Sequence, residues 1–421
     1  MKNKSLLPLV KPNDINLTRL DPCDKETIGK TKRILSDIEK YGDEALKKYA
    51  VKYGDRKEGE SLVLSESEIE MKVEQVPEAE IQLLERVATR IRVFAEKQLA
   101  CLKNLDTDVQ SGKAGHILIP VETAGCYAPG GRFPLPSSVL MSVIPARVAG
   151  VKNIWLASPD PSPIVMAAAA IAGVDNILAV GGAQSIGALA FGTETVESCD
   201  VIVGPGNRWV TAAKMLVAGK VNIDMLAGPS ELVVLADKNA DPKIIALDLL
   251  AQAEHDTDAL PVLISDSETL IENVREKLYK YLEENPTETA KQSLHKGFAV
   301  YVNSIDQAAA IVNDLAPEHL QLNLFDYVPL LSSLKNYGGL FIGEQSAEVF
   351  GDYGIGPNHV LPTSKAARRN SGLSVFTFMK QPTWLQMKVS EEFADIIDDT
   401  AALAELEGLK WHAEAAKARR K

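Results

Sequence analysis

The chemistry of this chain concentrates where amides, acids and imidazoles recur at short spacing. Gln252 and His255 close an apolar segment, Asp-Leu-Leu-Ala-Gln-Ala-Glu-His, and stand three residues apart. If that segment is helical as far as His255, both side chains leave one face and can reach a single ion. The alternative is a histidine that caps carbonyls or bonds locally, because Gln is an uncommon zinc ligand and the diagnostic zinc patterns are stricter. Glu318 and His319 are adjacent in Ala-Pro-Glu-His, at the end of a helical segment. Histidine titrates near neutrality and suits proton transfer, and a neighbouring carboxylate can activate water or tune the ring; the other reading is a surface turn. Asp352 and His359 stand in a Gly/Pro-rich loop, as ligands or as turn formers. Glu407 and His412 fall in a polar helix near the end of the chain, where exposure to solvent is the default.

Three glycine turns accompany these groups. Gly125-Cys126-Tyr127-Ala128-Pro129-Gly130-Gly131-Arg132 runs from a strand into a turn, and Gly181-Gly182-Ala183-Gln184 and Gly204-Pro205-Gly206-Asn207 repeat the arrangement, each before a helix. Such turns let backbone amides approach a phosphate, and a helix start offers free N–H donors to an anion. Glycine turns after strands are also common, and none of these is the Gly-x-Gly-x-x-Gly fingerprint of a conventional dinucleotide site.

The elements that must position these residues alternate in type. Amphipathic helices are expected from Asp24 to Gly54 and from Pro77 to about Asn104. From about His116 short β-rich runs take over: Ile117 to Ile119, Thr123 to Tyr127, Asn153 to Ala157, Asn176 to Val180 and Val201 to Val203, with helices between them. The pattern restarts with Leu232 to Ala236, Val262 to Ser265, Ala299 to Asn303 and Leu340 to Ile342. Alternating β and α on this spacing predicts parallel sheets covered by helices, in two consecutive α/β units. Past Thr377 the sheet pattern stops, and residues 390–420 read as one or two polar helices.

Composition excludes several classes of function. With 421 residues, 46% of them apolar, the chain can bury more than one core. A net charge of −12 leaves no broad basic surface for nucleic acid. Four scattered cysteines, Cys23, Cys101, Cys126 and Cys199, suggest neither a disulfide framework nor a thiolate zinc site. The longest nearly uncharged apolar run, Ile164 to Val174, is too short to span a bilayer, and the start lacks the apolar core of a signal peptide. A soluble, cytoplasmic protein that binds neither nucleic acid nor membrane is expected.

The stretch from Ile223 to His255 is the most specific in the chain: Ile-Asp-x-x-Ala-Gly-Pro-Ser-Glu, an aliphatic run, then Asp-Leu-Leu-x-Gln-x-Glu-His. It resembles the histidinol dehydrogenase family, and Gly-Cys-Tyr-Ala-Pro-Gly-Gly, Gly-Gly-Ala-Gln, Val-Gly-Pro-Gly-Asn, Ala-Pro-Glu-His-Leu, Gly-Asp-Tyr and Gly-Pro-Asn-His-Val-Leu-Pro-Thr extend the likeness. The resemblance implies two tandem incomplete Rossmann-like units in an intertwined homodimer. The expected division is an N-terminal arm over 1–20, a helical domain over 21–115, α/β domains over 116–228 and 229–377, and a C-terminal helical tail over 378–421. It implies zinc held by Gln252, His255, Asp352 and His412, with the tail histidine reaching the partner subunit's zinc. Glu318 and His319 become the proton-transfer pair, and Tyr127, Gln184 and Asn207 the contacts to NAD+. Ser230, Glu407, His319 and the four metal ligands would hold the substrate, L-histidinol.

The implied reaction takes L-histidinol through the aldehyde to L-histidine with two NAD+. His319 would remove the hydroxyl proton, Glu318 would activate water on the aldehyde, and the metal would mainly orient the substrate. The chain departs mildly from the family pattern at Asp256-Thr257-Asp258 after the ligand histidine and at residues 364–369, which replace a usually glycine-containing turn. Two rivals remain: a paralogous zinc- and NAD-dependent dehydrogenase of another small polar alcohol, such as a sulfonated diol, and an inert zinc-stabilised scaffold.

Overall fold

The computed structural model describes residues 5–15, 23–130 and 134–420. Part of the expected N-terminal arm, and Gly131 and Arg132 of the first glycine turn, therefore lie outside the described residues. The chain divides into two compact units, one of Met1–Lys97 with Val121–Phe378 and one of Gln98–Pro120 with Met379–Lys421.

The larger unit holds two parallel five-stranded sheets. The first contains β1 (Thr123–Tyr127), β2 (Asn153–Ala157), β3 (Asn176–Leu178), β4 (Val201–Val203) and β5 (Asn222–Ile223) in the order β3-β2-β1-β4-β5. The second contains β6 (Glu231–Ala236), β7 (Leu260–Ser265), β8 (Phe298–Tyr301), β9 (His319–Asn323) and β10 (Gly339–Ile342) in the order β8-β7-β6-β9-β10. Each sheet starts at its centre, winds outward to one side, then returns to the other, so the two repeat one topology where no residue-level repeat is visible. β1 and β6 are buried along their whole length, as strands covered by helices on both faces must be. The covering helices follow simple start and stop chemistry. Pro136–Ala149 and Pro163–Ala172 each begin on proline, whose missing N–H costs nothing in a first turn, and each is followed by a glycine at φ 95° or 88°.

The expected amphipathic helices are Lys25–Tyr53, kinked at Gly42, and Glu78–Ala100. Ile34, Leu35, Ile38 and Leu46 of the former join Ile186, Leu189 and Val210 in the core beside the first sheet. Described residues of the N-terminal segment run along the edge of the second sheet: Val10 N–H donates to Ala299 O at 2.8 Å, and Leu6 and Leu7 are buried in its core.

Sequence periodicity misses two features. The helix before Glu318 ends at Leu315, Ala316 turns the chain at φ 46°, and His319 opens β9. This strand is buried throughout although it reads His-Leu-Gln-Leu-Asn, so it lacks an apolar run. In the smaller unit the sheet pattern does not stop at Thr377. Thr383–Met387 pairs antiparallel with Gly112–His116, which pairs with Leu105–Val109. These strands are largely exposed and leave little hydrophobic signature. The C-terminal helices are Phe393–Leu406 and Lys410–Lys417.

Candidate active site

Glu318 and His319 sit at the amino ends of the central strand of the second sheet, β6, and its neighbour β9. The register sets His319 beside Leu232 on β6 and so Glu318 beside Glu231. Glu318 Oε2 accepts from Ser230 Oγ at 2.5 Å and from Glu231 N–H at 2.9 Å. His319 Nδ1 lies 3.0 Å from the Glu231 carbonyl oxygen. A carbonyl can only accept, so Nδ1 carries a proton, and the neutral ring holds its lone pair on Nε2. Among the described residues Nε2 is buried without a hydrogen-bond partner, and it stands 3.6 Å from Asp352 Oδ1.

Carboxylates crowd this imidazole. Glu318 Oε2 and Glu348 Oε2 lie 3.6 and 3.7 Å from Nδ1. Burial alone would strip charge from His319, but Glu318, Asp352 and Glu348 outweigh it and push the ring up to about 10. Asp352 goes the other way: burial raises it, yet His319, His359 and His255 hold it below the usual carboxylate range. Glu348, 1% exposed with neither carboxylate oxygen hydrogen-bonded among the described residues, is pushed up to about 8 by burial, against the pull of His319. With its acids ionised, the site carries more negative than positive charge, a balance that suits a cation.

The helix Pro242–Glu254 keeps helical angles through His255 (φ −61°, ψ −50°), so Gln252 and His255 do leave one face. This helix packs against the helix Glu348–Asp352 that carries Asp352. His255 Nε2 lies 3.8 Å from Asp352 Oδ2. Gln252 is wholly buried, and neither atom of its amide finds a partner among the described residues. A buried amide without partners is costly, so this orphaned group fits a metal ligand. Among the described residues no three His, Cys, Asp or Glu side chains cluster as a ready metal site. The amide, imidazole and carboxylate together make a nitrogen/oxygen donor set of the kind zinc accepts. Glu407 and His412 belong to the smaller unit, at the end of Phe393–Leu406 and within Lys410–Lys417, and both are exposed.

The residues expected to touch NAD+ gather at the carboxyl ends of β1, β3 and β4. A cleft of about 560 Å³ is lined by Tyr127, Gln184 and Asn207 together with Lys30, Arg33, Lys52, Tyr53 and Asp55. This crevice lies where an open α/β sheet ordinarily binds ligands, at the reversal of strand order. The turns do not offer bare anion cradles, however. Gly181 N–H donates to Asp55 Oδ2 at 3.0 Å, Gly182 N–H to Tyr127 Oη at 3.2 Å, and Asn207 Oδ1 caps Trp209 and Val210 N–H. Asp55 is held above its ordinary range by burial. Asn207 also lines a second cavity, of about 930 Å³, that reaches Ser230 and Glu231. One residue therefore faces both the cleft and the cavity that leads toward the acid–imidazole pair.

Sequence reasoning missed Glu231 and Glu348. Glu348 could have been found, because it precedes Asp352 by four residues and shares its helical face. Glu231 reads as the first residue of an apolar strand, and only pairing with β9 reveals it. Asp352, expected in a Gly/Pro-rich loop, instead ends a short helix, and His359, open between ligand and turn former, places Nδ1 2.9 Å from its carbonyl oxygen and so props that helix end.

The fold and the site define a doubly wound α/β protein with a ligand cleft at the reversal of strand order and a separate buried carboxylate–imidazole site. The family model described as histidinol dehydrogenase matches residues 18–420. Histidinol dehydrogenase from Zymomonas mobilis is 44% identical over 95% of this chain and 95% of its own length. The enzyme of that name from Methanococcus maripaludis is 40% identical over 100% and 98%. A crystal structure of histidinol dehydrogenase from Elizabethkingia anophelis superposes with a TM-score of 0.92 at 32% identity, covering 98% of each chain. The chain belongs to the histidinol dehydrogenase family.

Proposed function

We propose that the protein oxidises L-histidinol to L-histidine through histidinaldehyde with reduction of two NAD+, the closing steps of histidine biosynthesis, in the cytoplasm. The observation that carries this reading is the buried Glu318–His319 pair with Ser230 on one side and the Asp352, His255 and Gln252 donors on the other. Gln252, His255 and Asp352, with His412, would hold zinc, and Tyr127, Gln184 and Asn207 would line the NAD+ site. When bound, zinc would orient the amino alcohol and offset the local negative charge, and NAD+ would accept the hydrides.

The side chains of the chain do the rest. His319, anchored through Nδ1, would present Nε2 to take the hydroxyl proton once a bound cation offsets the carboxylates that otherwise keep the ring protonated. Glu318, fixed by Ser230 and the Glu231 amide, receives a proton from the water that adds to the aldehyde, and Nε2 acts again on the hydrate. Ser230 and Glu407 would hold the substrate's polar ends. We place the second subunit at the smaller unit, because its helices expose Leu406 (85%) and Trp411 (80%) beside Glu407 and His412. Large apolar side chains left in water on one face mark an association surface.

The test is turnover by the purified full chain with L-histidinol and NAD+, before and after metal chelation. Two NADH per histidinol, lost on chelation and restored by zinc, is the expected result. NADH formation with another small polar alcohol and none with histidinol would transfer the reading to the paralogous dehydrogenases, and no NADH with any small alcohol would leave a scaffold.

A further inference from the structure

We propose that Glu231 is a positioning residue that locks Glu318 and His319 into their working geometry; the proposal rests on the reading of that pair as the proton-transfer couple. Glu231 meets these two residues through three separate groups and Ser364 through a fourth. Its N–H donates to Glu318 Oε2 at 2.9 Å, and its carbonyl oxygen faces His319 Nδ1 at 3.0 Å. Its own carboxylate returns the contact across the strand pair: Oε2 accepts from Glu318 N–H at 3.4 Å, and Oε1 accepts from Ser364 N–H at 3.0 Å. One residue therefore sets where the Glu318 carboxylate lies, which nitrogen of His319 carries the bound proton, and how the turn after Thr363 closes over them.

Packing alone does not account for an acid here. Glu231 is 5% exposed and shares its surroundings with the Glu318 carboxylate, so burial, and then that charge, push it up to about 8. An apolar side chain would fill the same space without this penalty. What the carboxylate adds is acceptance of two backbone N–H groups from separate segments. The second of these segments is strained: Ser364 and Lys365 hold φ of 56° and 62°, values that non-glycine residues keep only when surrounding contacts impose them. The Glu231–Ser364 bond, with Gly228 N–H donating to Thr363 Oγ1 at 2.5 Å, is such an imposing contact.

Glu231→Gln keeps the volume but offers one acceptor oxygen where two N–H groups need one each. In the full chain with zinc and NAD+, at about pH 9 where the Glu231 carboxylate is ionised, the expected result is a fivefold or greater fall in kcat with KM for histidinol changed less than threefold. Placed on Glu318→Gln, the same substitution should slow the aldehyde-to-acid step by less than a further threefold, because its effect runs through Glu318. A fall in kcat smaller than fivefold overturns the proposal, as does a loss in the Glu318→Gln background as large as in the wild type, which a general structural role would give. Should Glu231→Gln not fold, wild-type protein labelled with 15N-histidine decides the matter: a slowly exchanging His319 Nδ1–H is required, and rapid exchange with water refutes it. The labelling result does not depend on turnover. A wild type inert toward histidinol would count against the proposed activity, while a mobile Nδ1–H would count against Glu231.

Discussion

Replacing Gln252 by methionine separates the demands of folding from those of the metal. The side chain is wholly buried, and both its amide atoms lack partners among the described residues. An unsatisfied buried polar group costs about 1–3 kcal/mol, and methionine has similar length with nothing to satisfy. Two atoms set a ceiling of roughly 6 kcal/mol, and one water reaching either atom would reduce this, so about 2 kcal/mol is the expected gain for the metal-free protein. At about 2.1 cal/mol/K per residue over the roughly 355 residues of the larger unit, 1 kcal/mol moves the midpoint of thermal unfolding by about 1.3 °C, so the expected rise is about 3 °C. Zinc reverses the order. A ligand present at about 100 times its dissociation constant stabilises the native state by about 2.7 kcal/mol, and the wild type should gain this while Gln252→Met does not. The assay is thermal unfolding of both proteins after chelation and again with added zinc. If metal-free Gln252→Met melts below the wild type, the amide is already satisfied without metal; if zinc raises both proteins equally, Gln252 is not a ligand. Either result refutes the reasoning.

Glu318→Gln should leave the hydrogen bonds from Ser230 and Glu231 N–H in place, since the amide oxygen can accept both. The aldehyde-to-acid half should then slow by about 10²–10⁴ and the first oxidation by much less; equal losses in single-turnover measurements of the two halves would count against Glu318 as the base. Asp248 is buried and pushed from 3.8 to about 6, chiefly by burial against a hydrogen bond from Gln321 Nε2 at 2.6 Å. A carboxyl whose folded value is raised adds stability below about pH 4 that is lost as pH rises through about 6. Asp248→Asn should therefore be more stable than wild type by about 2 kcal/mol at pH 7, with the gap closing toward pH 4 in denaturant titrations. Lys214 and Asp224 form a buried ion pair that also grips both the N–H and the carbonyl of Gly204, next to Asn207. Asp224→Asn leaves a buried ammonium, which should cost about 3–5 kcal/mol and raise KM for NAD+ more than it alters KM for histidinol; an unchanged melting temperature would show the pair to be dispensable.

Residue types and spacing were enough for much of the fold, whereas the assignment of site residues rests on the likeness of whole motifs. Thr123–Tyr127, Asn153–Ala157 and Val201–Val203 are apolar runs cut by glycine and proline, so their limits follow from local chemistry. Gln252 and His255 share a helical face through spacing alone, and Glu348 and Asp352 could have been paired in the same way.

Only the tertiary structure decided where the acid–imidazole site lies. Open α/β sheets bind ligands beyond their carboxyl strand ends, and the cleft at Tyr127 obeys this. The Glu318–His319 pair lies at the amino ends of β6 and β9, because the helix after β6 runs back and delivers Gln252 and His255 to that edge. No local pattern marks β9, whose polar residues are satisfied by partners distant in sequence: Gln321 meets Asp248, and His319 meets Glu231. A strand declares itself by periodicity when water bathes one face and hydrocarbon the other. β9 is buried on both, so its character depends on what the rest of the chain places beside it.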